Sequence, residues 1–167
     1  IENGFIKGKV KKGSVGTSIN LIFPSVGATE NLIMAACLAE GKTTINNAAR
    51  EPEIVDLAKS LNAMGAKIFG TGSNSIQIDG VKHLHKSEHS IMFDRIVAGT
   101  FIIAAVMINK KFTIKNIIPE HLDALIVVLK KMKANLKIKN ESITVLPSDN
   151  IEATNIKTAP YPGFPTD

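Results

Sequence analysis

The stretch that decides the fold is Phe23-Pro24-Ser25-Val26-Gly27-Ala28-Thr29-Glu30-Asn31. It stands between a strand-like apolar run at residues 19–23 and an almost wholly apolar run at residues 32–39. A proline followed by small polar residues predicts a strand, a tight turn and a helix N-terminus. The free N–H groups and positive dipole end of such a terminus can hold an anion. The alternative is a capped helix with nothing bound, because Ser and Thr caps are common.

The bulk composition is that of a soluble globular protein. The chain has 167 residues, with 44% apolar and 21% charged, enough for one domain or two small lobes. No apolar run is long enough to span a bilayer and no signal peptide opens the chain, which together with the single Cys37 favours a cytoplasmic protein. A net charge of +5 with only 5% aromatic residues argues against nucleic acid and suits a small anionic substrate.

Hydrophobic periodicity predicts an alternation of helices and strands. The first helix is apolar on nearly every side, which predicts burial all round, whereas the second has one apolar face. In chain order the expected elements are a hairpin arm at 1–10, a strand at 19–23, a helix at about 29–40 ended by Gly41, a strand at 42–46, a helix begun by Glu51-Pro52-Glu53 and ended by Gly65, and strands at 67–69 and 75–79.

The pattern then restarts, which indicates an internal repeat. Thr44-Ile45-Asn46-Asn47 matches Thr113-Ile114-Lys115-Asn116 at an offset of 69 residues, and Ser75-Ile76 matches Ser142-Ile143 at an offset of 67. Self-similarity on this scale predicts a repeat-built domain. The fold class is therefore α/β, with repeated βαβαββ units whose helices are buried and whose half-exposed sheets lie outside. Ser25 opens the first unit and Asp94 opens the second.

Two segments fall outside the repeated pattern. The polar link at 81–93 carries His83, His85 and His89, but without a Cys or a fourth ligand it is predicted to be a loop rather than a metal site. The tail at 151–167 concentrates Pro160, Pro162, Gly163 and Pro165, so it cannot be a helix. It is predicted to be an extended, rigid segment that delivers its last residues to a fixed place.

Four motifs, in order and across essentially the whole chain, resemble the bacterial UDP-N-acetylglucosamine enolpyruvyl transferases (1-carboxyvinyltransferases). They are the opening stretch, Ala48-Ala49-Arg50-Glu51-Pro52-Glu53-Ile54-Val55-Asp56, Asp94-Arg95-Ile96 with Gly99-Thr100, and Thr158-Ala159-Pro160 with Gly163-Phe164-Pro165-Thr166-Asp167. The resemblance implies an inside-out α/β barrel of two lobes. Residues 1–92 would belong to the first lobe, with a repeat unit at about 25–92. Residues 93–167 would belong to the second, with a unit at about 94–147 and an extended tail.

The resemblance also implies an activity. The family transfers the enolpyruvyl group of phosphoenolpyruvate to the 3-hydroxyl of UDP-N-acetylglucosamine, the first committed step of peptidoglycan synthesis. It thereby serves cell-wall formation, cell shape and cell division in the cytoplasm. The implied partners are these two small molecules, with no cofactor, no metal, no nucleic acid and no membrane insertion.

The family's site residues carry over to a few positions. Ser25, Val26 and Gly27 match the turn that meets the diphosphate, while Thr166 and Asp167 match the pair that contacts the sugar. Asp167 also matches the base for the 3-hydroxyl proton; the alternative is an aspartate in a turn or a helix cap.

Other residues of the motifs carry weaker expectations. Glu51 and Glu53 resemble the family's acidic helix start near the cleft, or simply favour the helix dipole. Cys37 is not the family's reactive cysteine, because it falls in a helix predicted to be buried.

The resemblance covers only the middle of such an enzyme. The family's N-terminal Lys-Asn pair, its loop with the reactive cysteine and its C-terminal arginines have no counterpart here, so this stretch alone is expected to be inactive. Two alternatives remain open, namely the sister transferase that acts on shikimate 3-phosphate and a non-catalytic module that binds a nucleotide sugar.

Overall fold

A computed structural model describes residue 4, residue 10 and residues 13–166. The chain forms two compact units that divide between Ser90 and Ile91. The hairpin arm predicted at 1–10 falls largely outside the described residues, and so does Asp167. The first unit consists of β1 (Ser18–Asn20), α1 (Val26–Ala36), β2 (Lys42–Asn46), α2 (Pro52–Ala63), β3 (Lys67–Phe69) and β4 (Ser75–Asp79).

The sheet of the first unit has one buried and one polar face. Its strand order is β1-β2-β4-β3, with β1 parallel to β2 and the other pairs antiparallel. Ile45 pairs with Ile19 on one side and with Ile76 on the other, and Ile45 and Ile76 are fully buried. One register position along, the Asn46 amide donates to the Asn20 side chain at 2.9 Å. The side chains along each strand alternate between the buried and the polar face, as expected for a half-exposed sheet.

The second unit repeats this layout with one strand fewer. It consists of α3 (Arg95–Ile108), β5 (Phe112–Lys115), a 3₁₀ turn (Pro119–Leu122) that leads into α4 (Asp123–Lys131), β6 (Asn135–Lys139) and β7 (Ser142–Leu146). Its antiparallel sheet has the order β5-β7-β6. No strand precedes α3 within residues 81–94, all of which are described, so this copy is αβαββ rather than βαβαββ.

The deciding stretch differs from its prediction at both ends. The first helix begins at Val26 with Ser25 as its N-cap and ends at Ala36, whereas the sequence predicted a helix over 29–40. The preceding strand ends at Asn20, because Pro24 restrains the backbone before it and the side chains of Ile22 and Phe23 are 98% and 66% exposed. The turn therefore has the expected five residues but lies three positions earlier than predicted, at 21–25, and Ser25 caps the helix that follows.

Helices α1 and α3 pack against their own sheets on one side only. Ile33 in α1 and Ile102 in α3 are fully buried in the two cores. On the opposite side Leu38, directly after α1, is 56% exposed and Met107 of α3 is 81% exposed. The predicted burial on every side is thus found only on the face toward the sheet, because a unit of two layers covers a single helix face.

Two of the three histidines of the link, His85 and His89, contact the first unit. His85 donates its backbone N–H to Met64 at 2.8 Å, and its ring lies against Gly65. The Nε2 atom of His89 lies 3.1 Å from a carboxylate oxygen of Asp56. Across the described part of the chain, no group of three or more His, Cys, Asp or Glu could hold a metal ion. Within the same residues, every helix is too short or too polar to cross a membrane.

Candidate functional site

The first candidate site is the turn that opens α1. Ser25 has an extended backbone, with φ −79° and ψ 124°, and its Oγ accepts a hydrogen bond from the Ala28 N–H at 3.3 Å. The N–H groups of Val26 and Gly27 have no acceptor within the helix, because they belong to its first turn. Nothing lies within 4 Å of the position that a Cβ on Gly27 would take. The turn thus combines free donors, a positive dipole end and open space, which suits an anion.

A buried threonine holds this turn against the loop before α2. Thr29 is fully buried, and its hydroxyl donates to the Ser25 carbonyl at 2.7 Å. The same hydroxyl accepts a hydrogen bond from the Ala49 N–H at 3.0 Å. One side chain therefore satisfies two polar backbone groups and joins residues 20 positions apart. The loop at 47–51 is part of the surroundings of the turn.

The equivalent turn in the second unit is closed to an anion. Asp94 caps α3 with a backbone that is also extended, and its Oδ1 accepts hydrogen bonds from the N–H groups of Ile96 at 2.8 Å and Val97 at 3.1 Å. A carboxylate thus already occupies the donors that correspond to Gly27 and Ala28. It would also repel a second negative charge. Only the first copy of the turn offers an anion site.

The proline-rich tail forms a loop on the N-terminal end of α3. Thr158 and Phe164 form a β-bridge, and the Ala159 N–H donates to the Phe164 carbonyl at 2.9 Å. The guanidinium carbon of Arg95 lies 5.4 Å from the centroid of the Tyr161 ring. The loop, α3 and the start of α4 line an open pocket of about 160 Å³. The tail is non-helical as predicted, but the prediction of an extended segment is wrong, because the chain turns back on itself at residues 160–163, where the Gly163 N–H donates to the Pro160 carbonyl at 2.8 Å.

The predicted site residues fall in different parts of the chain. Ser25, Val26 and Gly27 lie together in the α1 turn of the first unit. Thr166 is exposed in the second unit, at the end of the tail, and Asp167 is outside the described residues.

Cys37 lies in the core of the first unit. Cys37 is fully buried directly after α1, and burial raises the pKa of its thiol. A thiol that remains protonated is a poor nucleophile, which confirms that Cys37 is not in a reactive environment.

Sequence reasoning missed Thr29, whose bridging role is suggested only by its replacement with Ala98 in the second copy. Glu51, which the sequence places at an acidic helix start, is 7% exposed, and its Oε2 atom has no hydrogen-bond donor among the described residues. Glu51 is the N-cap residue of α2, yet its side chain makes no capping hydrogen bond.

The two units define a class of α/β protein built from a repeated unit, with a helix terminus open to an anion in one copy. Comparison with known proteins identifies the family: the chain belongs to the EPSP synthase (3-phosphoshikimate 1-carboxyvinyltransferase) family, whose sequence model matches residues 1–167. The enolpyruvyl transferase resemblance is thereby confirmed.

Curated relatives resemble the chain along its full length. The UDP-N-acetylglucosamine 1-carboxyvinyltransferases 1 of Staphylococcus aureus strains MRSA252 and bovine RF122 / ET3-1 are each 49% identical over 167 residues, which is 100% of this chain and 40% of each relative. The chain therefore spans about two fifths of the length of these relatives.

Solved structures share the fold. The enolpyruvyl transferase NikO from Streptomyces tendae matches with a TM-score of 0.79 and 19% identity, over 93% of this chain and 40% of that one. EPSP synthase from Acinetobacter baumannii matches with a TM-score of 0.60 and 20% identity, over 81% of this chain and 32% of that one. At these identities the likeness concerns the fold alone. The enolpyruvyl transferase-like fold class is confirmed, and the described strands form two open sheets rather than a closed barrel.

Proposed function

We propose that the complete protein transfers the enolpyruvyl group of phosphoenolpyruvate to the 3-hydroxyl of UDP-N-acetylglucosamine, as a cytoplasmic enzyme of peptidoglycan synthesis. The observation that carries this proposal is the 49% identity, over the whole chain, to proteins named for that activity. The EPSP synthase structure is 20% identical to the chain, so it gives far weaker support for shikimate 3-phosphate as the acceptor. Membership of the family agrees with either acceptor, and the identity supports UDP-N-acetylglucosamine.

The α1 turn supports the nucleotide-sugar acceptor. A diphosphate carries the negative charge that the Val26 and Gly27 N–H groups and the helix dipole attract. The small uncharged residues of this turn let the ligand approach the backbone, and Gly27 leaves that space open. We assign Ser25, Val26 and Gly27 to the diphosphate.

The end of the tail carries two further residues to which the family resemblance gives a role. We assign Thr166 and Asp167 to the sugar, with Asp167 as the base. After C3 of phosphoenolpyruvate is protonated, the 3-hydroxyl oxygen bonds to C2 and its proton passes to the carboxylate of Asp167. Loss of a C3 proton and of phosphate then regenerates the double bond, so that one phosphate leaves for each enolpyruvyl ether formed.

An acceptor assay on the complete protein tests this function. With phosphoenolpyruvate present, UDP-N-acetylglucosamine and shikimate 3-phosphate are supplied separately, and phosphate release is measured along with the mass of each acceptor. We expect phosphate release and a heavier acceptor with UDP-N-acetylglucosamine only. Turnover with shikimate 3-phosphate would identify the sister transferase, and binding of UDP-N-acetylglucosamine without turnover would identify a non-catalytic module.

The role of Asp167 has its own test in the same assay. Asp167→Asn is expected to lose most of kcat while its affinity for UDP-N-acetylglucosamine stays near that of the unmodified protein, because an amide cannot accept the hydroxyl proton. Near-normal turnover in this variant would remove Asp167 from the role of base.

A further inference from the structure

The end of the tail is attached to the second unit at two side chains. Across residues 155–166, all of which are described, partial burial begins at Tyr161 and continues at residues 163–165. Phe164 packs against the core of the unit. The Tyr161 ring lies over Arg95, whose guanidinium carbon is 5.4 Å from the ring centroid, within the range of a cation–π contact. The open pocket between the tail, α3 and α4 shows that close packing does not hold the rest of the tail.

Arg95 stands at a position that ordinarily disfavours a cation. It is the first residue of α3, where the helix dipole is positive and a positive side chain is destabilising. The first residue of α1, at the equivalent position in the other copy, is the apolar Val26. The Asp94 carboxylate is next to Arg95 in the chain, but it already accepts hydrogen bonds from two backbone N–H groups of α3. The guanidinium therefore calls for a further role, and its contact with the Tyr161 ring suggests one.

Tyr161 lies in the turn of a tightly closed loop. The Gly163 N–H donates to the Pro160 carbonyl at 2.8 Å, and the Ala159 N–H donates to the Phe164 carbonyl at 2.9 Å. A Cβ on Gly163 would lie only 2.6 Å from the Ala159 Cβ, so the two sides of the loop are in close contact. A loop closed in this way turns as one body. Any rotation about Phe164 is therefore passed on to the residues that follow it.

We propose that Arg95 and Tyr161 are positioning residues for Asp167, because their contact fixes the orientation of the loop from which Asp167 follows. This inference rests on the proposed function, in which Asp167 is the base. Phe164 alone would let the loop pivot, and the second contact prevents that rotation. Asp167 comes three residues after Phe164, so the chain limits their separation to about 11 Å. A base acts within about 3 Å of the hydroxyl, so even a small rotation of the loop should slow the reaction.

Turnover and nucleotide binding by variants of the complete protein test the proposal. Tyr161→Leu removes the aromatic face and should lower kcat by about tenfold or more. Its affinity for UDP, measured by calorimetry, should stay within about twofold, because the diphosphate is assigned to the first unit. Tyr161→Phe keeps the ring and should retain most of kcat. Phe93→Leu is the matched control, since it removes a ring stacked on His121 in the same unit and should leave kcat unchanged.

The same substitution in a variant without the base separates positioning from a general effect on the fold. In Asp167→Asn, adding Tyr161→Leu should lower the residual turnover by less than about twofold, because the base that the contact positions is already absent. A general effect on the fold would instead multiply the two losses.

Hydrogen exchange measures the loop without reference to activity. The Ala159 and Gly163 amides should exchange faster in Tyr161→Leu than in the unmodified protein, and at the usual rate in Phe93→Leu. Normal kcat in Tyr161→Leu, equal losses in its leucine and phenylalanine variants, multiplied losses with Asp167→Asn, or unchanged exchange would each overturn the proposal. Failure of the unmodified protein to act on UDP-N-acetylglucosamine would instead refute the proposed function, and the exchange rates would still test the contact.

Discussion

Ser25→Asp would give the first turn the cap that the second turn already has. In the second unit the Asp94 carboxylate accepts hydrogen bonds from the N–H groups of Ile96 and Val97. Ser25 and Asp94 have nearly the same backbone conformation, with φ of −79° and −81°. An aspartate at position 25 should therefore bind the N–H groups of Gly27 and Ala28 in the same way, without disturbing the helix.

The substitution should separate stability from binding. An acid at a helix N-terminus stabilises the helix by about 0.3–1 kcal/mol, so the melting temperature should stay the same or rise. Repulsion between the new carboxylate and a phosphate charge about 4 Å away costs about 1 kcal/mol in a water-like medium and about 4 kcal/mol near a protein surface. Binding of UDP-N-acetylglucosamine should consequently weaken by roughly fivefold to several hundredfold, before any loss of the Gly27 donor is counted.

Calorimetry and thermal denaturation on the complete protein measure both effects. Asp94→Ser is the matched control, because it makes the opposite exchange in the second turn, where no anion is expected, and it should leave the affinity for UDP-N-acetylglucosamine unchanged. If Ser25→Asp folds normally and binds the nucleotide sugar as tightly as the unmodified protein, the diphosphate does not lie at the α1 turn.

The other predictions concern two buried residues near this helix. Thr29→Val keeps the shape of the side chain but leaves the buried Ala49 N–H without its acceptor. The free energy of unfolding, measured in urea, should therefore fall by about 1–3 kcal/mol. An unchanged free energy of unfolding would show that the hydroxyl bridge is unimportant. Burial raises the pKa of the Cys37 thiol, so the stability that this side chain contributes is complete below its ordinary pKa and is lost as the pH rises above about 9. Urea unfolding across this range should therefore show a steeper alkaline loss of stability in the unmodified protein than in Cys37→Ala, and equal slopes would contradict the burial argument.

Local patterns were sufficient to predict most elements of the fold. The strands Lys42–Asn46, Lys67–Phe69 and Ser75–Asp79 match their predicted bounds, because alternating side chains and flanking glycines define each one. The helix after Glu51 was predicted from its first-turn proline, and the repeat correctly placed Ser25 and Asp94 at equivalent caps. These features depend on neighbours in sequence, which is why they could be predicted.

The features that depend on distant partners could not be predicted. Exposure of Leu38 and Met107 depends on how many layers cover a helix, which periodicity does not report. Thr29 acquires its bridging role from a loop 20 residues away, and the burial of Glu51 is a property of the folded unit.

The most direct test of the account is a titration of the ¹⁵N-labelled complete protein with UDP-N-acetylglucosamine, followed by nuclear magnetic resonance of the backbone amides. The two turns serve as each other's control, because they have the same backbone and differ in their caps. We predict large shifts for the Val26 and Gly27 amides and none for those of Ile96 and Val97. Saturating ligand that leaves Val26 and Gly27 unshifted, or that shifts both turns equally, would contradict the assignment of the diphosphate to the first turn.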